Sequence, residues 1–152
     1  MAFRLEHRVP PPLVGACVGA LMFGGAWLLP VFAFRAPWVL GAAVATAGVL
    51  VSLIGVVQFH RARTTVNPLK PQEASSLVTG GIYRWTRNPM YLGMALVLAG
   101  WGLYLGNFGA LALVGLFVLY IDRYQIDPEE RALAARFGEQ FAAYRRTVRR
   151  WL

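Results

Sequence analysis

The sequence predicts an all-α integral membrane protein: four transmembrane helices, then an amphipathic cytoplasmic helix. Three observations carry this reading. Apolar runs fill residues 13–34, 38–59 and 90–121, and a helix needs about 20 residues to cross a hydrocarbon core of about 30 Å. Apolar residues make up 57% of the chain and charged residues 14%, far from an average soluble domain. Fourteen of the fifteen lysines and arginines fall on one side of the resulting topology, as the positive-inside rule requires.

Residues 1–12 form a basic head with Arg4, His7 and Arg8, closed by three prolines. The first span, 13–34, exceeds a signal-peptide core of about 7–15 residues and has no A-x-A site after it, so it reads as retained. Gly15 and Gly19, and Ala20 and Gly24, have the small-xxx-small spacing that lets helices approach closely in lipid. Pro30 is expected to kink or end this helix near its outer end. Arg35, Ala36 and Pro37 make a short turn into the second span, 38–59. Gly41, Ala45, Gly48, Ser52 and Gly55 mark a small-residue face along it. Gln58 and His60 at its lower end read as solvated interfacial groups.

Residues 61–89 are the longest polar segment, and connections of that length are usually functional or disordered. Thr64, Thr65, Asn67, Pro68 and Pro71 favour ordered turns there. The apolar run from Met90 to Ile121 would be roughly 48 Å long as one helix, too long for one crossing. Gly106-Asn107 is a turn signal, so the run divides into helices at about 90–105 and 108–121. Pro89 suits the first helical position, where its missing N–H costs nothing. In the tail, Leu133, Phe137, Phe141, Tyr144 and Val148 recur at helical spacing, opposite Arg131, Arg136, Arg145, Arg146, Arg149 and Arg150. Asp127, Pro128 and Glu130 read as an N-cap, a first-turn proline and a capping box.

The net charge of +8 is confined to loops and ends, so topology accounts for it without nucleic acid. Both termini and the 61–89 loop are expected on the cytoplasmic side, and 152 residues make one domain. Cys17 lies alone in an apolar run, and His7 and His60 lack ligand-like neighbours, so no metal site is expected.

The stretch that differs most from its surroundings is Leu77–Gly93, LVTGGIYRWTRNPMYLG. It places Tyr83, Trp85, Tyr91, Arg84 and Arg87 at the foot of a span. Polar backbone at that depth persists where protein or a water-filled cavity covers it. The predicted topology brings it to the same face as Glu129-Glu130-Arg131.

Arg87-Asn88-Pro89-Met90-Tyr91-Leu92-Gly93, followed by an apolar hairpin and Glu129-Glu130-Arg131-Ala132-Leu133, resembles the isoprenylcysteine carboxyl methyltransferase and phospholipid methyltransferase family. The family pattern is R-H-P-x-Y-x-G, then E-E-x-x-L. Leu77–Arg84 upstream, and Phe137-Gly138 with Tyr144 downstream, are also similar, so the likeness covers roughly residues 60–150. Asn88 stands where the family usually has His, and Asn does not titrate near neutral pH.

The resemblance implies an S-adenosylmethionine-dependent methyltransferase acting on a lipophilic carboxylate, amine or thiol at the cytoplasmic face. It implies a cofactor pocket of Gly81, Tyr83, Arg87, Asn88, Tyr91, Gly93, Glu129 and Glu130. Glu130 (a base for an amine or thiol) and Arg131 (orienting a carboxylate, a role that Arg87 could also take) are the catalytic candidates. Membrane lipids are the implied surroundings, and homo-oligomers stay open. An Ala/Arg/Gly-rich composition points to a bacterial inner membrane. Two rivals stand beside this reading: an NADPH-dependent reductase of sterol-reductase type, and a non-catalytic membrane scaffold.

Overall fold

The computed structural model describes residues 9–62 and 76–152. The basic head at Arg4, His7 and Arg8 and the turns expected at Thr64, Thr65, Asn67, Pro68 and Pro71 lie outside the described residues. The described chain is helical: α1 (Pro11–Leu28), α2 (Trp38–Arg61), α3 (Pro89–Leu105), α4 (Phe108–Ile121) and α5 (Asp127–Thr147). Among the described residues, three helical stretches are long and apolar enough to cross a membrane: α1, α2 and the continuous run that begins with α4. At 17 residues, α3 is a shorter apolar helix. Large apolar side chains stand exposed along these helices, among them Leu21, Trp27, Leu50 and Leu119, the surface that lipid covers.

The first helix is shorter than the 13–34 expected. It starts at Pro11, because prolines fit a first turn whose N–H groups have no partners, and it ends at Leu28. Pro30 cannot donate into the preceding turn, so the chain makes a short 3₁₀ turn at Pro30–Phe32 and then extends to Pro37. The Gly106-Asn107 turn falls where the sequence places it. Gly106 adopts φ 58°, a left-handed conformation that glycine takes without steric cost. Asn107 caps α4 by accepting from Ala110 N at 3.0 Å and donates to Leu29 O at 3.1 Å. Phe34 N donates to Gly106 O at 2.6 Å, tying the two outer turns together.

The small-residue face of α2 packs on α3 with backbone against backbone. A Cβ on Gly41 would lie 2.7 Å from Gly100 O, one on Gly48 2.8 Å from Val97 N, and one on Gly100 2.6 Å from Ala45 N. Lipid tails are as apolar as leucine, so such a seam holds through close contact rather than solvent exclusion. Ser52 Oγ adds a bond to Met90 O at 3.1 Å. On the other side, α1 packs over α3 and α4 through fully buried Met22 and Phe117. The glycine pattern of α1 is used in part: Gly15 and Gly19 meet Met94 and Leu98, while Gly24 has nothing within 4 Å.

Asp127 is not an N-cap, which corrects the capping-box reading. A π-helical turn at Asp122–Ile126 carries α4 into α5 without a break, and Asp127 itself is helical. With no free helix start there are no orphan N–H groups to cap, and the acidic side chains turn to other partners. Helix α5 then kinks at Gly138, where φ is 49°. Phe141, Tyr144 and Val148 bury themselves with Tyr83, against Phe59, Leu77 and Val78.

Candidate active site

The segment before α3 is held by its glycines and one amide. Gly81 has φ 56°, and the Gln58 side chain lies against its Cα, where a Cβ would collide with it. In the amide orientation that satisfies both groups, Gln58 donates to Gly80 O at 2.6 Å and accepts from Ile82 N at 3.2 Å. Gln58 is therefore a structural tie rather than a solvated interfacial group. The 3₁₀ turn Gly81–Arg84 that follows turns Tyr83 inward, to 3% exposure. The Tyr144 hydroxyl donates to Tyr83 O at 2.7 Å.

Between this turn, the foot of α3 and the start of α5 lies a cleft of about 640 Å³, its open mouth included. Tyr83, Tyr91, Glu129, Phe141 and Tyr144 are among its lining residues. It is an aromatic pocket with a carboxyl group. The Tyr91 hydroxyl donates to Glu129 Oε1. The Tyr83 hydroxyl is buried with no partner among the described residues, and a buried polar group left unpaired costs about 1–3 kcal/mol.

Two neighbouring glutamates meet opposite environments, both beyond the apolar run 108–121. Burial pushes the Glu129 carboxyl up to about 8; the bond from Tyr91 works against this, and the neighbouring Glu130 charge adds to it. Burial also acts to raise Glu130, but bonds from Arg150 and Arg87 outweigh it and hold the group below the usual carboxylate range. Glu130 Oε1 accepts from Arg87 at 2.7 and 3.3 Å and from Arg150 Nε at 3.3 Å. Its Oε2 accepts from Arg150 at 2.7 Å, with Arg145 at 4.0 Å. Burial raises the Tyr83 and Tyr144 hydroxyls above the ordinary phenol range, so both are neutral at physiological pH.

Six of the residues expected at the site line the cleft: Tyr83, Arg87, Asn88, Tyr91, Glu129 and Glu130. Three do not. Gly93 faces α2, where a Cβ would lie 2.8 Å from Ser52 N, so it lets the helices close rather than admitting a ligand. Gly81 is shielded by Gln58. Arg131 is exposed and absent from the cleft lining, because the helical turn that points Glu130 inward points its neighbour elsewhere. The base role for Glu130 also needs correcting: a carboxylate carrying this many bonds from two arginines is a poor proton acceptor.

Asn88 donates through its side chain to Arg150 O at 3.0 Å, so the usual histidine position here serves as a backbone tie. Arg150 is the residue that sequence reasoning missed. It sits in a run of arginines read only as topology-setting charge, and nothing in its spacing marks it.

The comparisons with known proteins come to the same segment. The sequence model of the family described as phospholipid methyltransferase matches residues 37–140. A Haemophilus influenzae protein described as uncharacterized is 44% identical over 63 residues, 41% of this chain and the whole of that protein. The Schizosaccharomyces pombe protein-S-isoprenylcysteine O-methyltransferase is 36% identical over 72 residues, 47% of this chain but 30% of that protein. The alignment with that enzyme thus leaves most of its length uncovered. No solved structure matches significantly. With the family match covering both halves of the cleft, from the foot of α3 to the glutamate pair, the chain belongs to the phospholipid methyltransferase family.

Proposed function

We propose that this protein transfers a methyl group from S-adenosylmethionine to a lipophilic acceptor at the cytoplasmic face of a membrane. The observation that carries the proposal is the pairing, in one aromatic cleft, of the Glu129 carboxyl with the unpartnered Tyr83 hydroxyl. Both fit the cofactor: a carboxyl group and tyrosine rings suit a cation, and the orphaned hydroxyl suits a polar substituent. When bound, S-adenosylmethionine supplies an electrophilic methyl group on a sulfonium.

The chain's own residues do the rest. Glu129, with its carboxyl raised to about 8, holds a proton in the ligand-free protein; ionised beside a bound cation, it balances that charge and accepts a proton from an amine or thiol acceptor. A carboxylate acceptor needs no base. Tyr83 and Tyr91 give the cleft polar lining, and Phe59, Leu133 and Phe141 give it apolar lining that excludes water. Arg87 and Glu130 fix the wall between them. Alignment of acceptor and methyl supplies much of the rate, since fixing two reactants in place is worth about 7–11 kcal/mol.

The charge count supports four crossings, with α3 as the short one and 108–121 as the crossing part of the α4 run. It supports both termini and the 61–89 loop in the cytoplasm, with residues 1–152 as one domain. The composition supports a bacterial inner membrane.

Calorimetric titration of S-adenosylmethionine into detergent-purified protein tests the reading, with NADPH as comparator. Saturable binding of the first and none of the second is the expected result. A folded sample that binds neither, or binds NADPH alone, overturns it.

A further inference from the structure

The family match ends at residue 140, yet the densest set of polar contacts at the site involves residues 148–151. Arg87 N donates to Arg149 O at 3.0 Å. Thr86 Oγ1 and Asn88 Nδ2 both donate to Arg150 O, at 3.2 and 3.0 Å. The Arg87 guanidinium donates to Val148 O. In return, Arg150 forks onto Glu130 at 2.7 Å, Asp122 at 3.0 Å and Asp127 at 3.0 Å, and Trp151 Nε1 donates to Asp122 Oδ1 at 3.2 Å. The segment after α5 thus doubles back across Thr86-Arg87-Asn88 and ties that stretch to the α4–α5 junction.

We propose that residues 148–151 are an integral part of the site and that Arg150 is a positioning residue, holding the Glu130 carboxylate in the orientation that fixes Arg87 in the cleft wall. The geometry requires this of Arg150 in particular. Its guanidinium reaches both oxygens of Glu130, whereas Arg87 reaches Oε1 alone. Without Arg150, Oε2 would keep only Arg145, at 4.0 Å, and the carboxylate would be free to turn. A planar fork is suited to this two-oxygen grip, and a lysine would not reproduce it. The consequence for the cofactor rests on the function proposed above; the clamp itself does not.

The groups facing Glu130 are Arg87, Arg145, Arg150 and Glu129. Glu130 is held below its ordinary range, so its contribution to stability is present above that range and lost as pH falls. The test is therefore the pH dependence of the melting temperature of the ligand-free full chain in detergent. It compares wild type, Arg150→Ala, Glu130→Gln and the double variant, with S-adenosylmethionine affinity measured on each folded sample.

The clamp predicts that Arg150→Ala moves the acid limb of the stability profile up by about one pH unit and weakens cofactor binding about tenfold. It also predicts that Arg150→Ala shifts the limb less in the Glu130→Gln background than in the wild type, because only its pairs with Asp122 and Asp127 are then lost. Arg150→Lys keeps the charge and recovers part of the limb position. An unchanged acid limb in folded Arg150→Ala overturns the proposal, as does a shift of the same size in the double variant. If Arg150→Ala does not fold, Glu130→Gln decides: loss of the acid limb supports the clamp, and a wild-type limb refutes it. A wild type that binds no S-adenosylmethionine would sink the cofactor reading, while the pH profiles would still decide the clamp.

Discussion

The seam between α2 and α3 and the polar clamp below it lie a few turns apart and are built on opposite principles. The seam is made by absence: glycines at 41, 48, 93 and 100 remove side chains so that backbones meet. The clamp is made by presence: Arg87, Glu130, Arg150 and Asp122 hold one another through charged bonds. A seam in lipid tolerates no added atom. A buried charge cluster tolerates no removed partner. The cleft belongs to neither: its carboxyl, Glu129, is bonded by the Tyr91 hydroxyl rather than by an arginine, and its Tyr83 hydroxyl has no partner among the described residues, so both can turn to a ligand.

The largest expected effect comes from taking a partner out of the clamp. Arg87→Ala takes from Glu130 one of the two cations that lie 2.7 Å from it, and breaking such a pair costs up to about 3–5 kcal/mol; thermal unfolding in detergent should show it, with cofactor binding lost as well. Next comes an added methyl in the seam. Gly48→Ala places a Cβ 2.8 Å from Val97 N, and overpacking of this kind costs about 1–3 kcal/mol, read by the same melts. Gly24→Ala is the control: nothing lies within 4 Å of its Cβ, so the change should be neutral or stabilising by up to about 1 kcal/mol through helix propensity. A Gly24 variant as damaging as the Gly48 one would break the distinction between seam and open glycine.

The same contrast explains what could be read from the chain beforehand. The seam is local pattern: glycines and alanines recur on one face of 38–59, and that repeat survives without knowledge of the fold. The Gly106-Asn107 turn and the start of α3 at Pro89 are local chemistry too, and both stand where the sequence puts them. The clamp joins residues up to 64 positions apart, and no spacing rule covers a segment that returns across the start of α3. The capping box misled because D-P-E-E is a good helix start when a helix starts there, and a π-turn removes the start. Gly93 and Arg131 misled because motif membership says that residues lie close together, without saying which way each side chain points.

Glu129 and Glu130 are the finest form of the comparison, with adjacent carboxyls driven in opposite directions. At neutral pH the Glu129 carboxyl, raised to about 8, is mostly protonated in the ligand-free protein. A bound cation favours the ionised form, so binding must expel a proton, and affinity should rise with pH until about 8 and then level off. Calorimetry of S-adenosylmethionine binding at pH 7, in two buffers of different ionisation enthalpy, counts that proton directly. Release of about one proton by the wild type, abolished in Glu129→Gln, is the predicted result. Binding without proton release, or the same release from Glu129→Gln, would contradict the assignment of Glu129 as the group that meets the cofactor's charge.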